Sequence, residues 1–344
     1  MTQDRLKPLT QITAVKPRQL LSSETMTAIV MFVLFAVLPA FVSGYIVYIL
    51  PQYMLYAMLA MSLGILWGFT GILSFGQAAF FALGAYAMGL AIKWDVGGNP
   101  AYLALLGSAA IGAALGLAVG AFLFSAGVRN VYFVLVTLAL SIMVEQVTVS
   151  QSQVTGGYNG MFVPRISLTF WTGQEIDLSS DEAIYYVILA VVAGTYFLLR
   201  TILNRPFGKV LVGIRENEDR AISLGFNTSR YKTGAFALSG AIACLAGALY
   251  GTHANFVSPS LAGVLFSTQV VVWVAIGGRQ SLLGAFLGAV GVAALSNYLT
   301  AITPEYWQLV LGVVFVAVII AFRGGVAGAF ERIFAASPRG LRRG

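Results

Sequence analysis

The chain has 344 residues, of which 58% are hydrophobic and only 10% are charged. Soluble domains carry roughly a quarter of charged residues, so this composition excludes a plain soluble enzyme, a disordered chain and a small secreted domain held by disulfides. Twenty Lys and Arg against 13 Asp and Glu give a net charge of +7. That excess indicates either a nucleic-acid partner or a membrane protein with basic cytoplasmic loops, and the positions of the basic residues decide between them.

Long uncharged stretches predict about ten membrane-spanning helices, because roughly 20 apolar residues of helix cross the hydrocarbon core. The predicted fold is therefore an all-α, polytopic membrane protein. Gly64, Gly68, Gly71 and Gly76 would allow the second or third span to break or to re-enter the membrane. In chain order the predicted spans are 26–50, 53–69, 72–92, 101–124, 131–148, 183–199, 234–251, 263–276, 282–301 and 306–322.

The basic residues lie almost entirely on one side of the predicted topology. With the N-terminus inside, 18 Lys and Arg are cytoplasmic and two, Lys93 and Arg165, are outside. This is the positive-inside pattern, so both termini are predicted to be cytoplasmic and nucleic acid is not expected as a partner. The predicted organisation is a tail at 1–25, a transmembrane permease domain at 26–325 with an outer loop at 149–182 and a cytoplasmic loop at 200–232, and a basic tail at 326–344.

Three spans carry polar side chains that are costly in lipid and that tend to face a cavity or the bundle interior. On the fifth span three of them recur every fourth residue and so share one helix face. We hypothesise that these polar faces line a translocation path; the alternative is that each only finds a partner within the bundle. The candidate residues are Ser74, Gln77, Thr137, Ser141, Glu145 and Asn297.

Three smaller features have mainly structural interpretations. The single cysteine, Cys244, excludes an intrachain disulfide and a thiolate zinc site, and we expect it to be a small buried packing residue. His253, at an outer helix end, is expected to be a solvated surface histidine. Glycines recur every fourth residue at 112, 116 and 120, at 247 and 251, and at 284 and 288. Such stripes predict close helix packing, within the chain or at a dimer contact.

The spans contain no pair of ionisable residues, which argues for a carrier that is powered from elsewhere. No phosphate-binding loop of the Walker A type is present: at the nearest Gly-Lys, Gly208-Lys209, Leu203 stands where the first glycine is required. The chain is therefore predicted to be a transport subunit with no cofactor or metal and with no catalytic residue of its own. The alternatives are a stand-alone ion-coupled carrier and an intramembrane enzyme, although one histidine and one intramembrane acid do not provide an enzyme's constellation.

The cytoplasmic loop contains a short helix with its own termination signals. Asn217 is a favourable N-cap, Glu218 and Asp219 follow in the first turn, and Gly225 suits the position after the last turn. These signals predict a helix at 218–224, preceded by a second apolar face that contains Leu211. The loop is either a docking element for a soluble subunit or an ordinary basic loop at the lipid surface.

Several motifs resemble those of the LivM-like permease subunits of ABC importers for branched-chain amino acids and urea. In the cytoplasmic loop these are PFGK at 206–209, IRENEDRA at 214–221 and LG at 224–225. Others are LSFGQAAFFALGAY at 73–86, VYF at 131–133 with TLAL at 137–140, TGGYNG at 155–160, and IGG at 276–278 followed by SLLGA at 281–285. The resemblance extends from about residue 51 to 325, in the order of the ten spans.

This resemblance implies a half-transporter in the bacterial inner membrane. It implies a second homologous permease subunit, two cytoplasmic ATP-binding subunits and a periplasmic substrate-binding protein as partners. The loop helix would then couple ATPase closure to the switch between outward-facing and inward-facing states. The residues assigned to this coupling are Arg215, Glu216, Asn217, Glu218, Arg220, Ala221, Leu224 and Gly225.

The substrate remains open between two branches of the family. TGGYNG at 155–160 resembles the amino acid branch, whereas WVAIGGR at 273–279 resembles the urea and short-amide branch. We favour branched-chain or other hydrophobic amino acids, with urea or a short amide as the alternative. A hairpin predicted at 167–178 in the outer loop would either contact the binding protein or serve as a solvated connector.

Overall fold

The computed structural model describes residues 17–42, 44–94, 100–128, 130–165, 168–169, 175–176, 180–302, 305–306, 309–310 and 312–313. The helices are α1 (Pro17–Val37), α2 (Gly44–Gly64), α3 (Gln77–Lys93), α4 (Pro100–Ser125), α5 (Asn130–Ser150), α6 (Ser152–Thr155), α7 (Asp181–Asn204), α8 (Pro206–Glu216), α9 (Glu218–Ser223), α10 (Thr228–Ala254), α11 (Val264–Gly277) and α12 (Leu282–Ile302). Two antiparallel pairs join β1 (Met161–Phe162) to β4 (Phe256–Val257) and β2 (Leu168–Thr169) to β3 (Glu175–Ile176). The second pair forms the predicted hairpin, whose turn lies outside the described residues.

Half of these helices are long and apolar enough to cross a membrane. Among the described residues, six helices have the length and hydropathy of a span, namely α2 with its extension to Thr70, α4, α5, α7, α10 and α12. Three shorter apolar helices cover Glu24–Ala40, Gln77–Lys93 and Val264–Gly277. The protein is thus a mostly helical, multi-pass membrane protein. The tenth predicted span, 306–322, lies largely outside the described residues, and so do most of both predicted tails.

The first predicted span has the wrong boundary. Separate spans at 26–50 and 53–69 are predicted, but the chain breaks earlier, at a 3-10 turn over Leu38–Ala40, and α2 begins at Gly44. Pro39 occupies the first turn of that 3-10 helix, where a missing N–H is tolerated. Pro51 lies buried inside α2, and neighbouring helices allow proline within a membrane helix. The predicted boundary between the two spans therefore lies at the proline that does not end a helix.

The third predicted span begins five residues later than expected. The helix α2 ends in a π-helical turn over Ile65–Thr70, and α3 begins only at Gln77. Between them, Gly71 has a φ of +77°, a left-handed conformation that favours glycine. Residues 71–76, here called the unwound segment, therefore form the break that the glycine pattern allowed.

Glycine stripes bring the backbones of α10 and its neighbours into contact. Gly112, Gly116 and Gly120 of α4 face α10, and a Cβ added at Gly116 would lie 2.7 Å from the Cα of Ala237. The stripes at 247 and 251 and at 284 and 288 also pack against helices of this chain, which confirms the packing interpretation. Cys244 is fully buried in the same contact, as predicted, with its Sγ 2.9 Å from the carbonyl oxygen of Phe80.

The helix ends gather on two sides. On one side, Lys93 Nζ at the end of α3 donates to the carbonyl oxygen of Val154, and β1 pairs with β4. On the other side, Arg200 near the end of α7 lies 3.6 Å from Glu24 of α1. The first side is called outer below and the second inner, following the positive-inside prediction.

His253 contradicts its predicted solvated environment. Its side chain is 1% exposed. The ring lies against Tyr48 of α2 with the ring centroids 5.4 Å apart, because the outer end of α10 is covered by neighbouring elements. A position at a helix end therefore did not mean a position at the protein surface.

The glycine contacts give a stability prediction. A Cβ at Gly247 would lie 1.8 Å from the carbonyl oxygen of Phe81 in α3, so Gly247→Ala should force α10 and α3 apart and destabilise the protein by about 1–3 kcal/mol. The measurement is the thermal unfolding midpoint of the purified protein in detergent.

The matched control is Gly194→Ala in α7, where nothing lies within 4 Å of the added Cβ. Its midpoint should stay equal or rise, since alanine favours a helix over glycine. Equal midpoints for Gly247→Ala and the unmodified chain would contradict the close approach.

Candidate functional site

The unwound segment is held by two hydroxyl groups of α5. Thr137 Oγ1 accepts a hydrogen bond from the backbone N–H of Phe75 at 3.1 Å, and Ser141 Oγ donates to the carbonyl oxygen of Phe75 at 2.8 Å. Irregular backbone in a membrane must find such partners inside the protein, because lipid offers none. The two side chains therefore satisfy both backbone groups of Phe75.

These contacts lie within the depth of the membrane. Thr137 and Ser141 are seven and 11 residues beyond Asn130, at the inner end of α5, which corresponds to about 10 and 16 Å along the helix. Ser141 also lies 3.3 Å from Ser267 Oγ of α11. The break in the backbone thus joins α3, α5 and α11 at one place.

A second polar group lies at the start of α3, around the amide of Gln77. Its Oε1 lies 3.0 Å from Ser62 Oγ of α2 and 3.3 Å from Ser239 Oγ of α10. Within the described part of the chain its Nε2 has no hydrogen-bond partner. Sequence reasoning missed Ser62 and Ser239, although an uncharged polar residue inside an apolar span was the available signal.

The structure brings four of the six predicted path residues together and separates the other two. Ser74 accepts from the N–H of Gly76 at 3.1 Å, so it belongs to the unwound segment with Gln77, Thr137 and Ser141. The other two are Glu145 and Asn297.

Glu145 is half-buried and lies further along α5. A Cβ added at Gly263 would come within 3.4 Å of its Oε1. Asn297 belongs to a different cluster, since its Nδ2 donates to Tyr45 Oη near the outer end of α2 at 3.2 Å. Tyr45 and Ser62 are 17 residues apart, or about 25 Å along the helix.

The inner side carries the predicted loop helix, in the expected form. The Asn217 side chain accepts from the N–H of Arg220 at 2.9 Å and caps α9. Gly225, after the helix, has a φ of +87°. The helix ends at Ser223, one residue before the predicted end. The preceding helix α8 buries Leu211 and Ile214, as its apolar face predicted.

Two contacts fasten α8 and α9, here called the coupling segment, to the transmembrane helices. Arg215 Nη1 donates to the carbonyl oxygen of Gly68 at 2.6 Å, in the π turn of α2. Glu218 lies 2.5 Å from Lys232 of α10 and accepts from Thr228 at 3.0 Å. The Lys232 side chain is only 8% exposed, so removing Glu218 would leave a charge in a poorly hydrated site.

Other coupling residues point away from the membrane domain. Leu224 is 71% exposed, and Glu216, Asn217 and Arg220 are also exposed. Between α8 and α9 lies an open groove of about 380 Å³ that includes Ala221 and Leu224. The eight predicted coupling residues thus divide into an outward surface and inward anchors, and Arg215 is an anchor.

A cavity of about 200 Å³ separates the coupling segment from the unwound segment. Its lining includes Thr70 and Gly71 as well as Arg215 and Glu218. Beside this cavity, the Arg215 contact with the Gly68 carbonyl is a direct link between the coupling segment and the end of α2.

Residues 45–319 match the family described as the permease component of the branched-chain amino acid transport system. The chain belongs to this family. It is 32% identical over 304 residues to the high-affinity branched-chain amino acid permease protein LivM of Salmonella typhimurium, covering 82% of this chain and 70% of that protein. LivM of Escherichia coli is 30% identical over 314 residues, covering 85% and 72%.

A more distant relative is archaeal. The probable LivM of Methanocaldococcus jannaschii is 28% identical over 270 residues, covering 70% of this chain and 77% of that protein. No solved structure matches the chain. The family resemblance predicted from the motifs is confirmed, and the chain is an ABC-type transport permease subunit of the membrane.

The hydrogen bonds of the unwound segment give a second prediction. Thr137→Val keeps the side-chain volume but removes the acceptor of the Phe75 N–H, which should destabilise the protein by about 1–3 kcal/mol. The measurement is again the thermal unfolding midpoint in detergent.

Thr201→Val is the control, because the Thr201 hydroxyl is exposed and donates only to a carbonyl of its own helix, that of Phe197. It should change stability by less than about 0.5 kcal/mol. An equal loss of stability in both variants would contradict the role of Thr137 as the acceptor for the Phe75 N–H.

Proposed function

We propose that the chain is the transmembrane subunit of an ABC importer that carries branched-chain or other hydrophobic amino acids across the bacterial inner membrane. A periplasmic binding protein delivers the substrate from the outer side. The proposal is supported by membership of the permease family and by the names of the LivM relatives. The transmembrane permease domain is assigned to residues 26–325, between a cytoplasmic tail at 1–25 and a basic cytoplasmic tail at 326–344.

The coupling segment is the observation that carries this proposal. It is a pair of short helices at the basic end of the bundle, and its second helix is capped by Asn217. Three exposed apolar side chains lie at its end, Ile222, Leu224 and Phe226, and the last two line an open groove. Exposed apolar residues rimmed by charges are typical of a surface that binds another protein. An ATP-binding subunit that docks there would pull on α2 through Arg215 and on α10 through Glu218.

The proposed assembly contains this chain, a second homologous permease, two ATP-binding subunits and the binding protein. Docking moves the transporter between two states only if the contacts differ between those states. The Arg215 contact joins the docking surface to the turn of α2 that leads into the unwound segment, and the Glu218 contact joins it to α10.

The first functional test is transport by the whole assembly. Proteoliposomes that contain this chain and the four components should accumulate leucine from the binding-protein side only when ATP is supplied at the ATPase side. Leucine accumulation by this chain alone, driven by an ion gradient, would overturn the proposal in favour of a secondary carrier.

The second test separates docking from transmission. Arg220→Glu reverses an exposed charge on the docking surface and should reduce ATPase co-purification and leucine uptake together, by about tenfold for a loss of 1.4 kcal/mol. Arg215→Gln removes the contact with the Gly68 carbonyl and the ion pair with the exposed Glu216. It leaves Arg220 and Leu224 of that surface unchanged. It should lower uptake while ATPase co-purification stays normal.

Arg230→Glu is the matched control, since Arg230 is an exposed arginine in the first turn of α10. It should leave both quantities near the unmodified values. Normal ATPase co-purification and normal uptake in Arg220→Glu would show that this surface does not bind the ATPase. Loss of ATPase co-purification in Arg215→Gln would show that Arg215 contributes to docking and does not only transmit the movement.

A further inference from the structure

A cavity of about 270 Å³ lies between α2, α11 and α12, apart from the unwound segment. Its lining combines uncharged polar side chains, including Gln52, Gln269 and Asn297, with the aromatic rings of Tyr56 and Trp273. Ligand pockets usually have volumes of about 300–1,000 Å³. The cavity is slightly smaller and suits a solute of amino acid size.

The floor of the cavity is a rigid aromatic cluster. The Tyr56 and Trp273 rings stack with centroids 5.0 Å apart, and Trp273 is 3% exposed. Phe266 packs on both rings at 5.6 and 5.8 Å. Gln52 Nε2 donates to Tyr56 Oη at 2.8 Å and orients that ring. An apolar side chain that reached this floor would leave water for an aromatic surface.

The rim of the cavity is polar and uncharged. Asn297 is exposed, and Ser296 and Gln269 are half-buried beside it. Among the described residues that line the cavity, none is charged. A solute with a net charge would lose hydration here without a counter-charge, whereas a zwitterion can place its two opposite charges among amides and hydroxyls.

The cavity also extends along the axis that crosses the membrane, as a solute path must. Asn297 lies five residues before the outer end of α12, or about 8 Å. Trp273 lies four residues before the inner end of α11, or about 6 Å. The lining therefore extends from the outer rim towards the inner half of the bundle. The exposed rim lies on the side of α12, where a second subunit can close it.

The buried polar groups around Gln77 and Phe75 are not open to the outer side in the way this cavity is. Gln77 is 1% exposed, and Ser62, Thr137, Ser141 and Ser239 are fully buried and hydrogen-bonded. Opening a path there would break the contacts that hold the unwound segment.

We propose that the cavity between α2, α11 and α12 is this chain's half of the solute path and takes a net-neutral amino acid with an apolar side chain. The cargo rests on the proposed function. Of the six predicted path residues, Asn297 is the one that lines this cavity. The structure adds four further lining residues, Gln52, Tyr56, Gln269 and Trp273.

The test adds a negative charge to the cavity with little change in volume. In proteoliposomes with the complete assembly, Gln269→Glu and Asn297→Asp should each reduce leucine uptake at least about tenfold. The new carboxylate is poorly hydrated, it holds the ammonium group of the solute and it repels the solute carboxylate, so the zwitterion no longer meets a neutral lining. Recovery of the assembly should not change. Gln146→Glu, the same substitution at an exposed position of α5, should transport normally. Uptake within twofold of the unmodified assembly in both cavity variants would overturn the proposal.

A second measurement does not depend on the cargo. Ser296→Cys in the complete assembly should react with a water-soluble maleimide added from the outer side. The unmodified chain should not react, since Cys244 is buried, and Leu287→Cys on the exposed side of α12 should react slowly because lipid covers it. Absence of labelling at position 296 would overturn the cavity as an aqueous path. Failure of the unmodified assembly to accumulate leucine would overturn the proposed function, and the labelling result would still decide whether the cavity is open to water.

Discussion

A backbone that leaves its helix inside a bilayer must have every polar group paired by the protein, because the lipid pairs none of them. At Phe75, within residues 71–76, α5 meets this requirement, because Thr137 and Ser141 bind its N–H and its carbonyl. The position of α3 follows from that attachment. The packing of α10 on α3 follows in turn, since Gly84 of α3 approaches the backbone of Cys244 too closely for any side chain.

The unwound segment also connects the two regions to which function is assigned. On its inner side, Arg215 of the coupling segment binds the carbonyl of Gly68, next to the break. On its other side, Ser141 contacts Ser267 of α11, and the same helix carries Gln269 and Trp273 into the proposed path. Rigid helices connect the docking surface to the solute cavity. A movement of one can therefore change the conformation of the other. Variants at Arg215 and Gln269 separate the two ends of this connection.

Features that depend on neighbours in the sequence could be predicted well. The cap at Asn217, the left-handed Gly225 and the apolar face of α8 were predicted because capping and helical periodicity act over a few residues. Features that depend on neighbours in space were not. Pro39 and Pro51 look alike in sequence, and only packing around α2 shows which of them ends a helix. His253 looked solvated because its burial against Tyr48 comes from another helix.

The sequence by itself determined that the chain crosses the membrane many times and that it resembles the branched-chain amino acid permeases, and it predicted that the basic residues lie on one side. Composition, charge and motif order contain that information without any contacts. The tertiary structure decided which polar residues meet: it joined Thr137 to Phe75, turned Arg215 inward and brought Asn297 and Gln269 to the lining of one cavity. Only the fold determines these contacts, because the partner of a polar side chain within the membrane comes from another helix.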